Sequence, residues 1–201
     1  YVSKANEFYP GDVTIEVAYT LTDENELNIK YKANTTEDTL LNLTNHAYFN
    51  LDGISGNTLD QKLQINAEKF LELDDENIPT GNFIPMENHA FDFRSSKNVV
   101  AGIDHCFVLK NNTEPAAILE SVKNGVTMKV YTDQPAVQIY VGGKTSDELQ
   151  NKESVEYHTE SGICFETQVF PDAPNHEDFP NAILRKGETY QQNTTFQFII
   201  S

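Results

Sequence analysis

Apolar and polar side chains alternate one by one along much of this chain, and a period of two confines such stretches to β-strands. Val13, Ile15, Val17, Tyr19 and Leu21 alternate with Thr14, Glu16, Ala18 and Thr20. After a polar turn at residues 23–26, Leu27, Ile29, Tyr31 and Ala33 repeat the pattern, which predicts a hairpin. Further strands are predicted over residues 63–67, 105–109, 116–122, 126–132 and 194–200, with Asn124-Gly125 favouring a tight hairpin turn. No segment longer than a few turns carries a 3.6-residue apolar stripe. Residues 74–87 and 171–181, rich in Asn, Asp, Pro and Gly, read as loops. A chain of 201 residues can bury a substantial core, and a single domain over residues 1–201 is expected. The pattern fits an all-β fold, a large antiparallel β-sandwich.

Three of the strand-like runs are apolar on one face and polar or aromatic on the other. In residues 163–169, Ile163, Phe165, Thr167 and Val169 share a face, opposite Cys164, Glu166 and Gln168. In residues 40–51 (LLNLTNHAYFNL), Leu41 and Leu43 oppose Asn42, Thr44, His46 and Tyr48. In residues 135–143 (PAVQIYVGG), Val137, Ile139 and Val141 oppose Gln138 and Tyr140. A Glu directly after Cys164-Phe165 is costly to bury without a partner, so Glu166 either lines a wet cleft or sits on a solvated edge strand. If the three polar faces meet, His46, Gln138 and Glu166 share one cleft with Tyr48 and Tyr140 nearby. An acid–base pair with amide and aromatic neighbours suits a sugar site.

Charge narrows the ligand classes. A net charge of −17 argues against nucleic acid or anionic membrane as partners, since both want basic surface. No apolar run approaches the roughly 20 residues of a membrane span, and the opening YVSKANEFYPGD has no signal-peptide pattern, so a cytoplasmic setting is expected. Cys106 and Cys164 both lie in apolar strand-like runs and read as buried thiols rather than a disulfide. A nucleophile elbow, a phosphate-binding loop, an HExxH helix and a CxxC pair are all missing from the sequence.

Four ordered blocks resemble the aldose 1-epimerases: residues 45–53 (NHAYFNLDG), 102–109 (GIDHCFVL), 130–143 (VYTDQPAVQIYVGG) and 162–184 (GICFETQVFPDAPNHEDFPNAIL). Weaker matches are residues 78–81 (IPTG) and 91–94 (FDFR). The resemblance implies the galactose mutarotase-like supersandwich and interconversion of the α and β anomers of an aldohexose, with no metal or organic cofactor. By the same resemblance Glu166 is the base on the C1 hydroxyl and His46 the acid on the ring oxygen. Asp104 and Gln138 then hydrogen-bond sugar hydroxyls, while His105 supports its strand and His176 is expected to be exposed.

The resemblance covers the C-terminal part of such a domain. An Arg and a His that help hold the sugar in the family have no counterpart among the matched blocks. His89, His158 and His176 lie in the wrong contexts to replace that His. The expectation is a sandwich lacking its N-terminal strands, with reduced activity and exposed apolar sheet that invites a homo-oligomer. Two other readings stay open: a noncatalytic sugar-binding sandwich, and a glycoside hydrolase with Asp104 and Glu166 as its carboxylate pair.

Overall fold

The computed structural model describes residues 1–5, 9–54, 56–110, 113–142, 152, 154 and 156–200. Its first strands are β1 (Val2–Ser3), β2 (Val13–Leu21), β3 (Glu26–Thr35), β4 (Thr39–Leu40) and β5 (Tyr48–Phe49). Next come β6 (Lys62–Ile65), β7 (Ala67–Leu73), β8 (Pro79–Pro85), β9 (Lys97–Asn98) and β10 (Asp104–Leu109). The chain continues through β11 (Ala117–Glu120), β12 (Val126–Thr132), β13 (Ala136–Val141), β14 (Ile163–Gln168), β15 (Ile183–Leu184) and β16 (Tyr190–Ile200).

These strands form an eight-stranded sheet in the order β1-β2-β3-β16-β12-β11-β6-β9 and a six-stranded sheet in the order β5-β14-β13-β10-β7-β8. A small pair, β15 with β4, stands apart from both. The hairpin expected from the opening alternation is β2 with β3, in register from Val13 opposite Thr35 to Leu21 opposite Leu27.

The main core lies between the two sheets. Leu63, Ile65, Leu119, Met128, Val130 and Phe196 from the larger sheet meet Phe70, Phe107, Val137, Ile139, Ile163 and Phe165 from the smaller. The inward residues of β13 and β14 are therefore the ones their alternation selects. Polar contacts also cross this interior: the Thr167 and Thr194 hydroxyls hydrogen-bond at 2.5 Å, and buried Gln192 donates to Thr167 O at 2.8 Å, so neither buried hydroxyl is left without a partner. The outer face of the smaller sheet carries a second apolar cluster, in which Phe170, Ala173 and Phe179 pack on Leu71, Cys106 and Ala136. The Pro-rich loop after β14 thus roofs one half of that outer face and leaves the other half open.

Several sequence expectations are corrected. Residues 40–51 are not one strand, because only Thr39–Leu40 and Tyr48–Phe49 pair. Between them side chains replace the ladder. Asn42 accepts from Val169 N at 3.0 Å and donates to Val169 O at 2.9 Å, and Asn45 Oδ1 accepts from Ala47 N.

Residues 74–87 are not all loop either. β8 pairs with β7 as an edge strand, where a proline's missing N–H costs no ladder bond. The turn before it is closed by Asp74 Oδ1, which accepts from the backbone N–H groups of Glu76 and Ile78 at 2.9 Å each. The connection between β11 and β12 is longer than a two-residue Asn-Gly turn. Ser121 N donates to Val126 O, and Gly125 alone of the four intervening residues takes a left-handed conformation, with φ 68°.

His176 is half-buried rather than exposed. It stacks on Phe179 and reaches Pro79 O at 3.1 Å and Asp172 Oδ2 at 3.3 Å, pinning the roof loop to the β7–β8 hairpin. Of the run 135–143, Gly143 lies outside the described residues.

Candidate active site

Cross-strand register decides which side chains share the open half of the outer face. In antiparallel sheets directly opposite residues point the same way. Gln138 on β13 sits opposite Glu166 on β14 and opposite Cys106 on β10. One row along, Tyr140 sits opposite both Cys164 and Asp104, and Cys164 sits opposite Tyr48 on β5. The two rows put a carboxylate, an amide, two phenols and a second carboxylate on one patch without any long connection.

That patch is the floor of a cleft of about 460 Å³ lined by His46, Tyr48, Asp104, Gln138, Tyr140, Glu166, Gln168 and Pro171. All four residues expected to form the site are in it. His46 reaches it by a route the alternation did not foresee, from the irregular segment before β5 rather than from a pleated strand. That segment is anchored by Asn50, whose Nδ2 donates to Ser161 O at 2.9 Å and to Gly56 O at 2.7 Å. Its Oδ1 accepts from buried Gln61 at 2.8 Å. Asn50 therefore ties the block carrying His46 to the strand carrying Glu166.

The His46 imidazole stands over the floor with Nε2 at 3.3 Å from Glu166 Oε1. Its side chain is 51% exposed while that of Glu166 is 12% exposed, so the imidazole faces arriving ligand and the carboxylate sits beneath it. The opposite nitrogen, Nδ1, lies 3.5 Å from the sulfur of Cys164, which is fully buried. Tyr48 and Tyr140 flank the ring at centroid distances of 5.2 and 6.0 Å. On the far side, Gln138 Nε2 donates to Asp104 Oδ1 at 2.7 Å, which leaves the amide oxygen and the second carboxylate oxygen to meet a ligand.

Electrostatics separate the groups. Burial pushes the Glu166 carboxyl above its ordinary value; positive charge on His46 offsets part of this, and the Asp104 carboxylate adds to the rise. A carboxylate so placed is a stronger base than an exposed one. Burial also raises the Tyr48 phenol, helped by the neighbouring Cys164, Tyr140 and Glu166, so the phenol keeps its proton at neutral pH. His105, next along β10, points away from this cleft toward Phe70 and Phe91, and burial lowers its pKa, consistent with a strand-supporting side chain.

The ligand atoms of His46, Cys164 and Glu166 lie within 4.8 Å of one another. They bracket the ring from its two nitrogens rather than converging on one lone pair, which is the geometry of a hydrogen-bonded chain rather than a coordination sphere. Three cleft features escaped the sequence reading. Gln168 and Pro171 lie in its wall, although the period of two already placed Gln168 on the Glu166 face. The Cys164–His46 contact depends on the irregular path of residues 41–47, which carries no periodic signal.

The family model for aldose 1-epimerase matches residues 1–197. Mouse galactose mutarotase is 40% identical over 206 residues, covering 97% of this chain and 60% of the relative. Aldose 1-epimerase of Escherichia coli K12 is 35% identical over 208 residues, covering 95% and 60% respectively. Among solved structures, the GalM/aldose epimerase homologue from C. elegans superposes with a TM-score of 0.90 at 31% identity, over 100% of this chain and 65% of that one. Galactose 1-epimerase from Lactobacillus acidophilus gives a TM-score of 0.86 at 28% identity, over 99% and 61%. The chain thus spans about 60% of the length of the curated relatives it matches. With the family model covering nearly every residue, this chain belongs to the aldose 1-epimerase family.

Proposed function

We propose that the protein interconverts the α and β anomers of an aldohexose such as galactose or glucose by opening and reclosing the sugar ring. The observation that carries this reading is the 3.3 Å approach of His46 Nε2 to Glu166 Oε1 on the floor of an open cleft. Anomer interconversion needs two proton transfers at neighbouring oxygens, O1 and the ring oxygen. A base and an acid a few ångströms apart can serve both.

Glu166 takes the proton of the C1 hydroxyl while His46, acting as the imidazolium, gives its Nε2 proton to the ring oxygen and is left neutral with its proton on Nδ1. The C1–ring-oxygen bond breaks with its electron pair going to that oxygen, and C1 becomes an aldehyde. Rotation about C1–C2 presents the other carbonyl face. The ring oxygen re-attacks, its proton returns to His46, and Glu166 returns its proton to O1. Protons, electrons and both side chains are restored, so the cycle consumes nothing.

The raised basicity of Glu166 strengthens it as acceptor, and the neutral range of histidine suits a group that both gives and takes a proton. Gln138 and Asp104, locked to each other, hold ring hydroxyls, and Tyr48 with Tyr140 offers apolar ring surface to sugar carbons. A hydrolase would instead set two carboxylates across the scissile bond, whereas the near partner of Glu166 is an imidazole.

The reading extends to setting and assembly. Two free buried thiols suit a reducing cytoplasm. Val17, Tyr19 and Leu21, exposed on β2, offer a surface for a second copy. Neutral sugar, rather than nucleic acid or membrane, is the ligand of this acidic protein.

The test is polarimetry on freshly dissolved α-D-galactose with the purified protein, alongside an assay for reducing-sugar release from galactosides. Faster approach to the equilibrium rotation without release supports the reading. Release of sugar would favour a hydrolase, and binding without either effect a sugar-binding module.

A further inference from the structure

We infer that Cys164 is a positioning residue for His46: its thiol holds Nδ1, so that Nε2 alone trades protons with the ligand. This deepens the reading above and rests on it for its kinetic consequence, but not for the contact itself.

The thiol is built for such a task by register. Cys164 lies between Tyr140 and Tyr48 on the neighbouring strands, on the cleft face of β14, yet it is fully buried because His46 covers it. Its Sγ lies 3.5 Å from His46 Nδ1, within reach of a sulfur hydrogen bond. An imidazole that is half exposed and carried on irregular backbone would otherwise turn about its two side-chain torsions. Gripping one nitrogen from the sheet and the other from Glu166 fixes the ring plane.

A thiol has a property that a carboxylate or amide in the same place would lack. It donates through S–H and accepts through sulfur, both weakly. When the imidazole proton sits on Nε2 facing Glu166, the thiol donates to Nδ1. When Nδ1 is protonated, the S–H rotates away and the sulfur accepts from Nδ1–H. The thiol can therefore follow the ring through both protonation states without unpaired buried groups. Burial, with Glu166 and Asp104 nearby, raises the thiol's own pKa steeply, so Cys164 stays protonated instead of competing as a base.

The groups facing His46 are Glu166 and Cys164 from β14, Tyr48 from β5 and Tyr140 from β13, with Asp104 on β10 acting through Glu166. Cys164→Ala removes the grip, Cys164→Val removes it while refilling the volume, and Cys164→Ser replaces it with a smaller group of the same dual character.

The expected result is that Ala and Val lower kcat for mutarotation about tenfold with KM held within about twofold, while Ser recovers most of the loss. The kcat limb that titrates with His46 should also move in Ala and Val and stay in Ser. Imidazole 15N NMR of the unliganded protein reads the contact without any turnover. The wild type and Cys164→Ser should show the Nε2–H tautomer of His46, and Cys164→Ala a mixture of tautomers.

Unchanged kcat and pH profile in Ala and Val, in a protein that does mutarotate, would overturn the kinetic role. An identical 15N pattern in wild type and Ala would overturn the contact. A wild type without mutarotation but with the tautomer shift would overturn the function and leave the Cys164 contact standing.

Discussion

Glu166 shows how one side chain is set by opposing terms. The pleat directs it away from the Phe165 side of β14, register sets it beside Gln138, and burial under His46 makes its charged form costly. Because the carboxyl is pushed up in the folded protein, the native state holds more proton than the unfolded chain between the ordinary carboxylate value and the raised one. Stability from this site therefore falls as pH rises through that window and stays low above it. Glu166→Gln should raise the melting temperature at pH 7 by about 2 °C or more, with the gain shrinking toward pH 4. Thermal unfolding at both pH values checks this, and a lower melting temperature for the variant at pH 7 would mean that its pairing with His46 outweighs burial.

At the scale of elements, the site depends on how closely β5 lies against β14. Gly162 makes this possible, because a Cβ there would stand 2.8 Å from Cβ of Tyr48. Gly162→Ala must displace Tyr48 or the start of β14, and with them the wall behind His46. The expected outcome is a loss of mutarotase activity of about 10²-fold. The melting temperature should fall by only a few degrees, since Tyr48, the nearest side chain, lies outside both core clusters; parallel rate and melting measurements decide it. Most of the long strands were legible in the chain, but β7 was not, because the predicted run 63–67 ends where that strand begins. β12 spans the residues its alternation selects, and Glu166 with Gln138 could be assigned a face by counting in twos. The segment around His46 was not legible, because Asn42 and Asn45 there use side chains where a strand uses backbone, and side-chain pairing leaves no period. β8 escaped for the reverse reason: prolines at both ends read as loop, although an edge strand tolerates them.

For the molecule as a whole, a two-sided smaller sheet explains the arrangement. Its inner face closes the sandwich against the larger sheet, and its outer face is divided between the roof loop and the cleft. Both cysteines lie on that outer face, Cys106 under the roof and Cys164 under His46, and both are buried and free. Burial raises both thiols well above their ordinary value. Native protein should therefore react with neither an aromatic disulfide reagent nor iodoacetamide at pH 8 over minutes, and both thiols should react after denaturation. Rapid labelling of one thiol in the native state would show that the roof or the His46 segment opens readily.

The central claim is that the His46–Glu166 pair moves the two protons of ring opening. The most direct measurement is exchange between the α and β anomeric signals of galactose, followed by NMR at equilibrium in the presence of wild-type, His46→Asn and Glu166→Gln protein. The account predicts exchange catalysed by the wild type and slowed by about 10²–10⁴-fold in each variant, with sugar binding retained. Exchange at the wild-type rate in both variants would contradict it.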